Sequence, residues 1–266
     1  MVYLGGYIYV VFGGYQKKFA RYDVAANTWT EMEDLPDYTL YGVSISTDGT
    51  NLFVLRSSNT ADMWKYTVSS DTWSSMAAAP ATLYTGSDLA YSGGYLYTPR
   101  GNNTTTFYRY SISGNTWSSM TVVPATINGD HDILTSGDYV YVTRSTATNT
   151  FYRYSISGNS WTTLTNTPQV TNYHSFVYVS GVDKYYLFRG NGNYDIWTYN
   201  TTGNTFASII EPPAALSTGA NLTYSGGDVY LIRGTSTNFY GYDVATNVWT
   251  TLTVAPGNIA GEQKAV

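Results

Sequence analysis

The chain has 266 residues, including 28 Tyr, 9 Phe and 7 Trp, a formal net charge of -5 and only 12% charged residues. This mildly acidic background is a poor match to nucleic acid, which needs clustered Lys and Arg. The absence of cysteine excludes disulfides, thiolate metal sites and cysteine nucleophiles, and no apolar run approaches the roughly 18 residues that span a bilayer.

The N-terminal stretch Met1-Val-Tyr-Leu-Gly-Gly-Tyr has neither a basic n-region nor an h-region, so no signal peptide is read there. Further along, four positions recur at fixed spacing. A tyrosine appears at Tyr22, Tyr66, Tyr110, Tyr154, Tyr199 and Tyr242, in steps of 44, 44, 44, 45 and 43. Seven residues after each comes an aromatic: Trp29, Trp73, Trp117, Trp161, Phe206 and Trp249. Three further on stands Met32, Met76, Met120, Leu164, Ile209 or Leu252. The unit then ends in Pro36, Pro80, Pro124, Pro168, Pro213 or Pro256. Such periodicity is the signature of a repeat architecture.

The third unit shows the elements most clearly. Asp88–Tyr91 reads as an inner strand a, and Ser92-Gly93-Gly94 as a hairpin turn of the kind glycine permits. Tyr95–Arg100 is strand b, Gly101-Asn-Asn-Thr-Thr a loop, and Phe107–Ile112 strand c. After the turn Ser113-Gly114-Asn115, Trp117-Ser-Ser-Met120 opens strand d, and Pro124 ends the unit at an edge where a missing N–H is tolerated. A four-stranded unit of this length cannot bury both faces alone and reads as a propeller blade. The expected fold is therefore all-β: one six-bladed β-propeller domain over residues 1–266, with four antiparallel strands per blade.

These residues carry a resemblance to the kelch class. Blade one reads Tyr9-Val-Val-Phe-Gly13-Gly14, Tyr22-Asp23 and Trp29; blade six reads Tyr242-Asp243 and Trp249. Five blades depart from that pattern by carrying Arg where the first glycine of the pair would sit, as in Leu231-Ile-Arg233-Gly234, so the chain resembles a bacterial kelch-type variant. No unit ends in Trp-Asp, which sets the WD class aside.

At the C-terminus, Gly257-Asn-Ile-Ala-Gly-Glu-Gln-Lys-Ala-Val266 matches the lead-in to an inner strand, and Met1-Val2-Tyr3 matches the end of one. The expectation is that the two terminal segments pair in blade one and close the ring, removing an open edge. The tight ends are read as those of a propeller trimmed from a longer chain or built into a larger assembly.

The first candidate site is the set Arg56, Arg100, Arg144, Arg189 and Arg233, all at one register position, where blade one has Phe12. Guanidinium forks match carboxylates, so the set suits an anionic ligand. A repeated residue can equally be architectural, paired with Asp62, Asp88, Asp132 or Asp195, with a carbonyl, or with a Tyr ring. The second candidate is the histidine pair His131 and His174, in loops entering adjacent blades, with Asp130 and Asp132 flanking His131. Two imidazoles and two carboxylates can hold a divalent metal or do acid–base work, but the spacing is not a metal motif, and no metal or cofactor is expected. Tyr38, Tyr41, Tyr84 and Tyr173 fall near the same rim and suit contact with sugars or proteins, or packing between blades.

No Gly-rich phosphate loop, Ser elbow or His-Glu-x-x-His motif is present. A galactose-oxidase-like copper site needs a cysteine, and only Ser46-Thr-Asp48-Gly49-Thr50 comes near a sialidase Asp-box, with the wrong spacing. Three readings follow. The chain is a non-catalytic recognition or structural module binding a protein or glycan through its loop-bearing face, in an extracellular, cell-surface or virion-associated assembly. Alternatively it is an epimerase, mutarotase or lyase acting on an anionic sugar, an architecture similar to the sialic-acid mutarotases. Or it is a purely architectural, possibly engineered, ring without a ligand.

Overall fold

The computed structural model describes residues 1–39, 42–57, 59–84, 87–129, 131–144, 148–169, 174–190 and 192–258. Within them the chain forms six four-stranded sheets. Blade one comprises β1 (Val2–Leu4), β2 (Tyr7–Val11), β3 (Phe19–Asp23) and β4 (Thr28–Glu31). Blade two comprises β5 (Ser44–Thr47), β6 (Asn51–Leu55), β7 (Met63–Thr67) and β8 (Thr72–Ser75). Blade three comprises β9 (Ala90–Ser92), β10 (Tyr95–Pro99), β11 (Phe107–Ser111) and β12 (Thr116–Ser119). Blade four comprises β13 (Asp132–Ser136), β14 (Tyr139–Thr143), β15 (Phe151–Ser155) and β16 (Ser160–Thr163). Blade five comprises β17 (Ser175–Val179), β18 (Lys184–Phe188), β19 (Ile196–Asn200) and β20 (Thr205–Ser208). Blade six comprises β21 (Asn221–Ser225), β22 (Asp228–Ile232), β23 (Phe239–Asp243) and β24 (Val248–Thr251).

Each sheet is a simple antiparallel meander, a to d, from the axis outward. Tight hairpins therefore join a to b and c to d on one face of the ring. The b-to-c and d-to-a loops emerge together on the other. The a-to-b hairpin of blade three explains its two glycines: Gly93 and Gly94 sit at φ of 56° and 87°, the double left-handed turn whose twist matches the strands it joins.

Burial follows distance from the axis. Strand b is buried along almost its whole length, as in Leu52-Phe53-Val54-Leu55, because a neighbouring blade covers each of its faces. Strand d is largely exposed; its Thr and Ser side chains are a solvated outer edge. The core is not one mass but six clusters, one at each blade–blade seam. The sixth joins Ile8, Val10, Phe12, Ala20 and Tyr22 of blade one to Tyr230, Ile232 and Phe239 of blade six. Packing thus closes the ring. The terminal strand pairing expected for closure falls, from residue 259 onward, outside the described residues.

A recurrent polar clasp reinforces each seam. The repeat tyrosine donates its hydroxyl to an Asn or Asp five residues later: Tyr22 to Asn27 (2.8 Å), Tyr110 to Asn115 (2.6 Å), Tyr154 to Asn159 (2.6 Å) and Tyr242 to Asn247 (2.7 Å). The acceptor is held in the left-handed region, at φ of 55° for Asn27 and 48° for Asn115, which Asn tolerates better than most residues. The same side-chain oxygen accepts a backbone N–H from the previous blade, as from Ala77 to Asn115 (2.8 Å) and from Thr121 to Asn159 (3.2 Å). The repeat Trp returns the bond in the other direction: Trp117 donates to the Ala77 carbonyl (2.8 Å) and Trp161 to that of Thr121 (2.9 Å). The indoles are accordingly half-buried between blades rather than sunk in a core. Phe206 lacks the donor, and in that seam Asn204 still accepts from Thr165 N–H (3.0 Å).

Strand ends shift by one or two residues from the sequence expectation. Strand a of blade three starts at Ala90 rather than Asp88, and strand b stops at Pro99 rather than Arg100. Arg100 N–H instead bonds to Thr106 O (3.0 Å), closing the loop between b and c.

Candidate functional site

The loop-bearing face gathers every sequence-predicted candidate that lies within the described residues. The arginines stand just past strand b. Four of their Nε groups bond in the same way, each to a loop carbonyl. Arg56 donates to Tyr38 O (3.0 Å), Arg100 to Thr82 O (3.2 Å), Arg144 to Thr126 O (2.7 Å) and Arg233 to Ala215 O (2.7 Å). Each acceptor lies two residues beyond the proline that ends the preceding blade. The arginine thus pins the d-to-a loop of that blade, satisfying a carbonyl that regular pairing leaves open.

In blade six the glycine that follows the arginine lets that loop come close. Gly234 has φ of 76°, and a Cβ there would meet Ala220 N and Thr218 O at 2.4 Å. Gly101 and Gly190 are also left-handed, at 76° and 66°.

Among the described residues, two arginines also meet carboxylates. Arg56 bridges Asp37 (2.8 Å) and Asp62 (2.9 Å), and Arg189 reaches Asp195 (2.9 Å). Asp62 and Asp195 are therefore partners of the kind the architectural alternative names. Arg100 lies over the Tyr84 ring, 5.8 Å from its centroid.

Asp88 and Asp132 serve a different group. Asp132 heads β13 and Asp88 stands two residues ahead of β9, at the position held by Ser44, Ser175 and Asn221 in blades two, five and six. Together these side chains rim the axial opening. Leu222 N–H donates to Ser175 Oγ (3.0 Å), Met1 N to Asn221 Oδ1 (3.2 Å), and Ser44 Oγ to Asp88. Asp132 accepts from its neighbour Ile133 N–H (2.7 Å) and from Phe176 N–H, and it hydrogen-bonds Asp88. Burial, and next the adjacent Asp88 charge, push the Asp132 carboxyl well above the usual carboxylate range. The shift favours the protonated carboxyl, the form that can donate to Asp88.

The histidines stand one residue ahead of two of these positions, His131 before Asp132 and His174 before Ser175. His131 and His174 are only 5% and 8% exposed. His131 Nδ1 meets Asn128 O (3.1 Å), and His174 Nε2 meets the hydroxyl of Thr143, which itself accepts from Asp132 N–H (3.2 Å). Both are hydrogen-bonded and buried rather than solvated. Asp130 lies outside the described residues. Among the described residues no group of three His, Cys, Asp or Glu side chains could hold a metal ion.

Below the rim the axis holds a cavity of about 250 Å³, lined by inner-strand residues such as Ile45, Ala90, Leu134, Phe176 and Thr223. None of the arginines lines it. Its lining offers hydroxyls and aliphatic surface but no carboxylate or imidazole.

The loop face also carries aromatic rings. Tyr38 is 55% exposed, as expected for a contact residue, while Tyr84 is half-buried. Tyr41 and Tyr173 lie outside the described residues. Sequence reasoning passed over Tyr15 and Tyr194, which are 64% and 43% exposed in the b-to-c loops of blades one and five. A signal for Tyr15 exists: it stands three residues after Phe12, where blades two and three place Asn59 and Asn103 after their arginines.

No protein-family profile matches the chain, and no curated protein matches its sequence. What the geometry establishes is the architecture: the chain is a six-bladed β-propeller.

Proposed function

We propose that this propeller is a non-catalytic recognition or structural module that binds a protein or a glycan through its loop-bearing face. Its setting is an extracellular, cell-surface or virion-associated assembly, and its repeats are a kelch-type variant with Arg in place of the first glycine. The observation that carries this reading is the location of exposed aromatic surface. Tyr15, Tyr38 and Tyr194 are the exposed aromatic residues among those described, and all three project from b-to-c or d-to-a loops. Large, half-polar rings on loops over a rigid scaffold are effective contact groups.

The alternative of an enzyme acting on an anionic sugar draws on the arginines and histidines. Burial of His131 and His174, and the engagement of four arginine Nε groups with loop carbonyls, support the non-catalytic reading over it. A purely architectural ring has no use for an exposed tyrosine in a left-handed backbone position.

The test is a broad glycan array that includes anionic sugars, run with the wild type, a Tyr38→Ala/Tyr194→Ala variant and an Arg100→Ala/Arg144→Ala variant. Sialic and uronic acids are assayed in parallel for turnover. The reading expects binding that the tyrosine variant loses, without turnover. Turnover of a sugar, lost on altering the rim, would overturn it.

A further inference from the structure

The inner strands lay their residues along the axis in layers. Just below the polar rim, one register position carries Ile45, Leu89, Ile133, Phe176 and Leu222, an apolar ring. The next position carries Ser46 and Thr223 in blades two and six, and Leu134 and Val177 in blades four and five. Blade one lies between blades two and six, so this layer has its hydroxyls on the blade-one side and aliphatic groups opposite. The third layer, beside the a-to-b hairpins, carries Thr47, Tyr91, Thr135 and Tyr178. Residues of all three layers line the axial cavity of about 250 Å³, whereas the rim residues Ser44, Asp88, Asp132, Ser175 and Asn221 do not. Exposure rises toward the hairpins: Leu89, Ile133, Phe176 and Leu222 are buried, while the four residues of the third layer are half-buried. The cavity therefore opens on the hairpin face.

Two hydroxyls of the middle layer stand apart. Ser46 and Thr223 are 8% and 6% exposed, and neither side chain has a hydrogen-bond partner among the described residues. The hydroxyls nearer the hairpins are committed: Thr47 donates to Asn51 O (2.9 Å), Tyr178 to Asp183 Oδ1 (2.8 Å) and Thr135 to the Tyr91 carbonyl. A buried hydroxyl without a partner is destabilising. This pair sits in the cavity wall, where a ligand oxygen can supply the missing bonds. No Asp, Glu, Lys, Arg or His side chain lines the cavity, so a charged ligand would be desolvated there without a counter-charge.

We infer that the axial cavity is a second binding site, for a neutral aromatic alcohol whose ring packs against Phe176, Leu134 and the apolar layer while its hydroxyl pairs with Ser46 Oγ and Thr223 Oγ1. A largely apolar pocket with a few placed polar groups is the usual form of a small-molecule site. The size agrees: a cavity of roughly 150 Å³ accepts benzene, so about 250 Å³ has room for a bicyclic ring. The site opens on the face opposite the recognition loops and does not rest on the loop-face reading.

The test uses naphthol as the probe, methylnaphthalene as its analogue without the hydroxyl and naphthoate as an anion of similar size, read by saturation-transfer NMR and calorimetry near neutral pH. Naphthol is expected to bind the wild type, and methylnaphthalene and naphthoate to bind roughly tenfold more weakly or not at all. Ser46→Ala/Thr223→Val, which removes both hydroxyls and keeps the side-chain shapes, should weaken naphthol roughly tenfold. Tyr38→Ala/Tyr194→Ala on the loop face should leave it unchanged. Without ligand, Ser46→Ala/Thr223→Val should melt level with the wild type or above it, since it loses hydroxyls that have no partner. Failure of naphthol to bind the wild type would overturn the site. So would naphthol binding indifferent to Ser46→Ala/Thr223→Val, or methylnaphthalene binding as tightly as naphthol. None of these results bears on sugar binding at the loop face, which is read on the array.

Discussion

Trp29 in the first blade donates its indole N–H to the carbonyl of Thr253 in the last (3.1 Å), and the Thr253 N–H returns to Asn27 (3.0 Å). The closing seam therefore carries the same clasp as the seams between consecutive blades. Closure is an ordinary blade–blade contact made between residues 224 apart, and the ring behaves as a circular array of near-equivalent interfaces.

Asn27→Gly tests this. Glycine accepts the left-handed backbone but removes the acceptor for Tyr22 and Thr253. The expected loss is about 1–3 kcal/mol in chemical denaturation. Asn115→Gly, which removes the same pair of bonds at an internal seam, should lose a similar amount. A silent Asn27→Gly beside a costly Asn115→Gly would show that the ring is closed by something else.

Arg56 should matter more than its counterparts. Its side chain is 17% exposed and holds Asp37, Asp62 and Tyr38 O at once. Arg56→Ala leaves two carboxylates facing each other and an open carbonyl, a loss of roughly 1–2 kcal/mol given how exposed the acids are. Arg56→Lys should not rescue, because an ammonium cannot reproduce the fork. Arg100→Ala, which loses only a carbonyl contact and a ring, should lose less. Equal melting temperatures for the three variants would refute the ranking.

Asp132 gives a pH prediction with a definite sign. Its folded-state pKa is raised, so its contribution is fully present below the unfolded carboxylate value and is lost as pH rises toward the folded one. Asp132→Asn reproduces the protonated form: it can accept from Ile133 N–H and donate to Asp88. The variant should melt higher than the wild type at neutral pH and show a flatter decline from acid to neutral. A lower melting point at neutral pH would mean that Asp132 is stabilising as the anion.

The repeat tyrosines set the alkaline limit. Burial pushes Tyr110, Tyr154 and Tyr199 from 10.0 to about 12. For an acid whose folded pKa is raised, stability is intact below pH 10 and falls as pH rises through about 12. The phenolate absorbance of these buried rings should therefore appear late and together with unfolding. Ionisation of all 28 tyrosines completed near pH 10, with the fold intact, would contradict their placement.

The repeat, the blade count and the strand order were legible because a ring of near-identical units writes each structural demand six times. The clasp was half legible. Tyr110 and Trp117 stood out as aromatics, but Asn115 between them read as turn chemistry. Its second role, toward Ala77 of the previous blade, depends on how blades stack, which a single repeat does not show. The same limit hid the partners of the arginines, since Thr82 O and Arg100 belong to different blades. Asp88 and Asp132 read as arginine partners because charge alone was visible. In the fold they meet each other at the axis, where strand order brings together residues 44 apart. Tyr15 escaped notice because its strain is a property of φ, not of composition.

The most direct test of loop-face recognition sets one face of the ring against the other. Array binding is measured for the wild type, for Tyr38→Ala/Tyr194→Ala on the loop face, and for Val182→Ala/Val248→Ala on the hairpin face, all matched for thermal stability. The account predicts that the glycan signal survives the hairpin-face pair and is lost in the loop-face pair. Loss in the hairpin-face pair, with the loop-face pair binding as the wild type does, would contradict it.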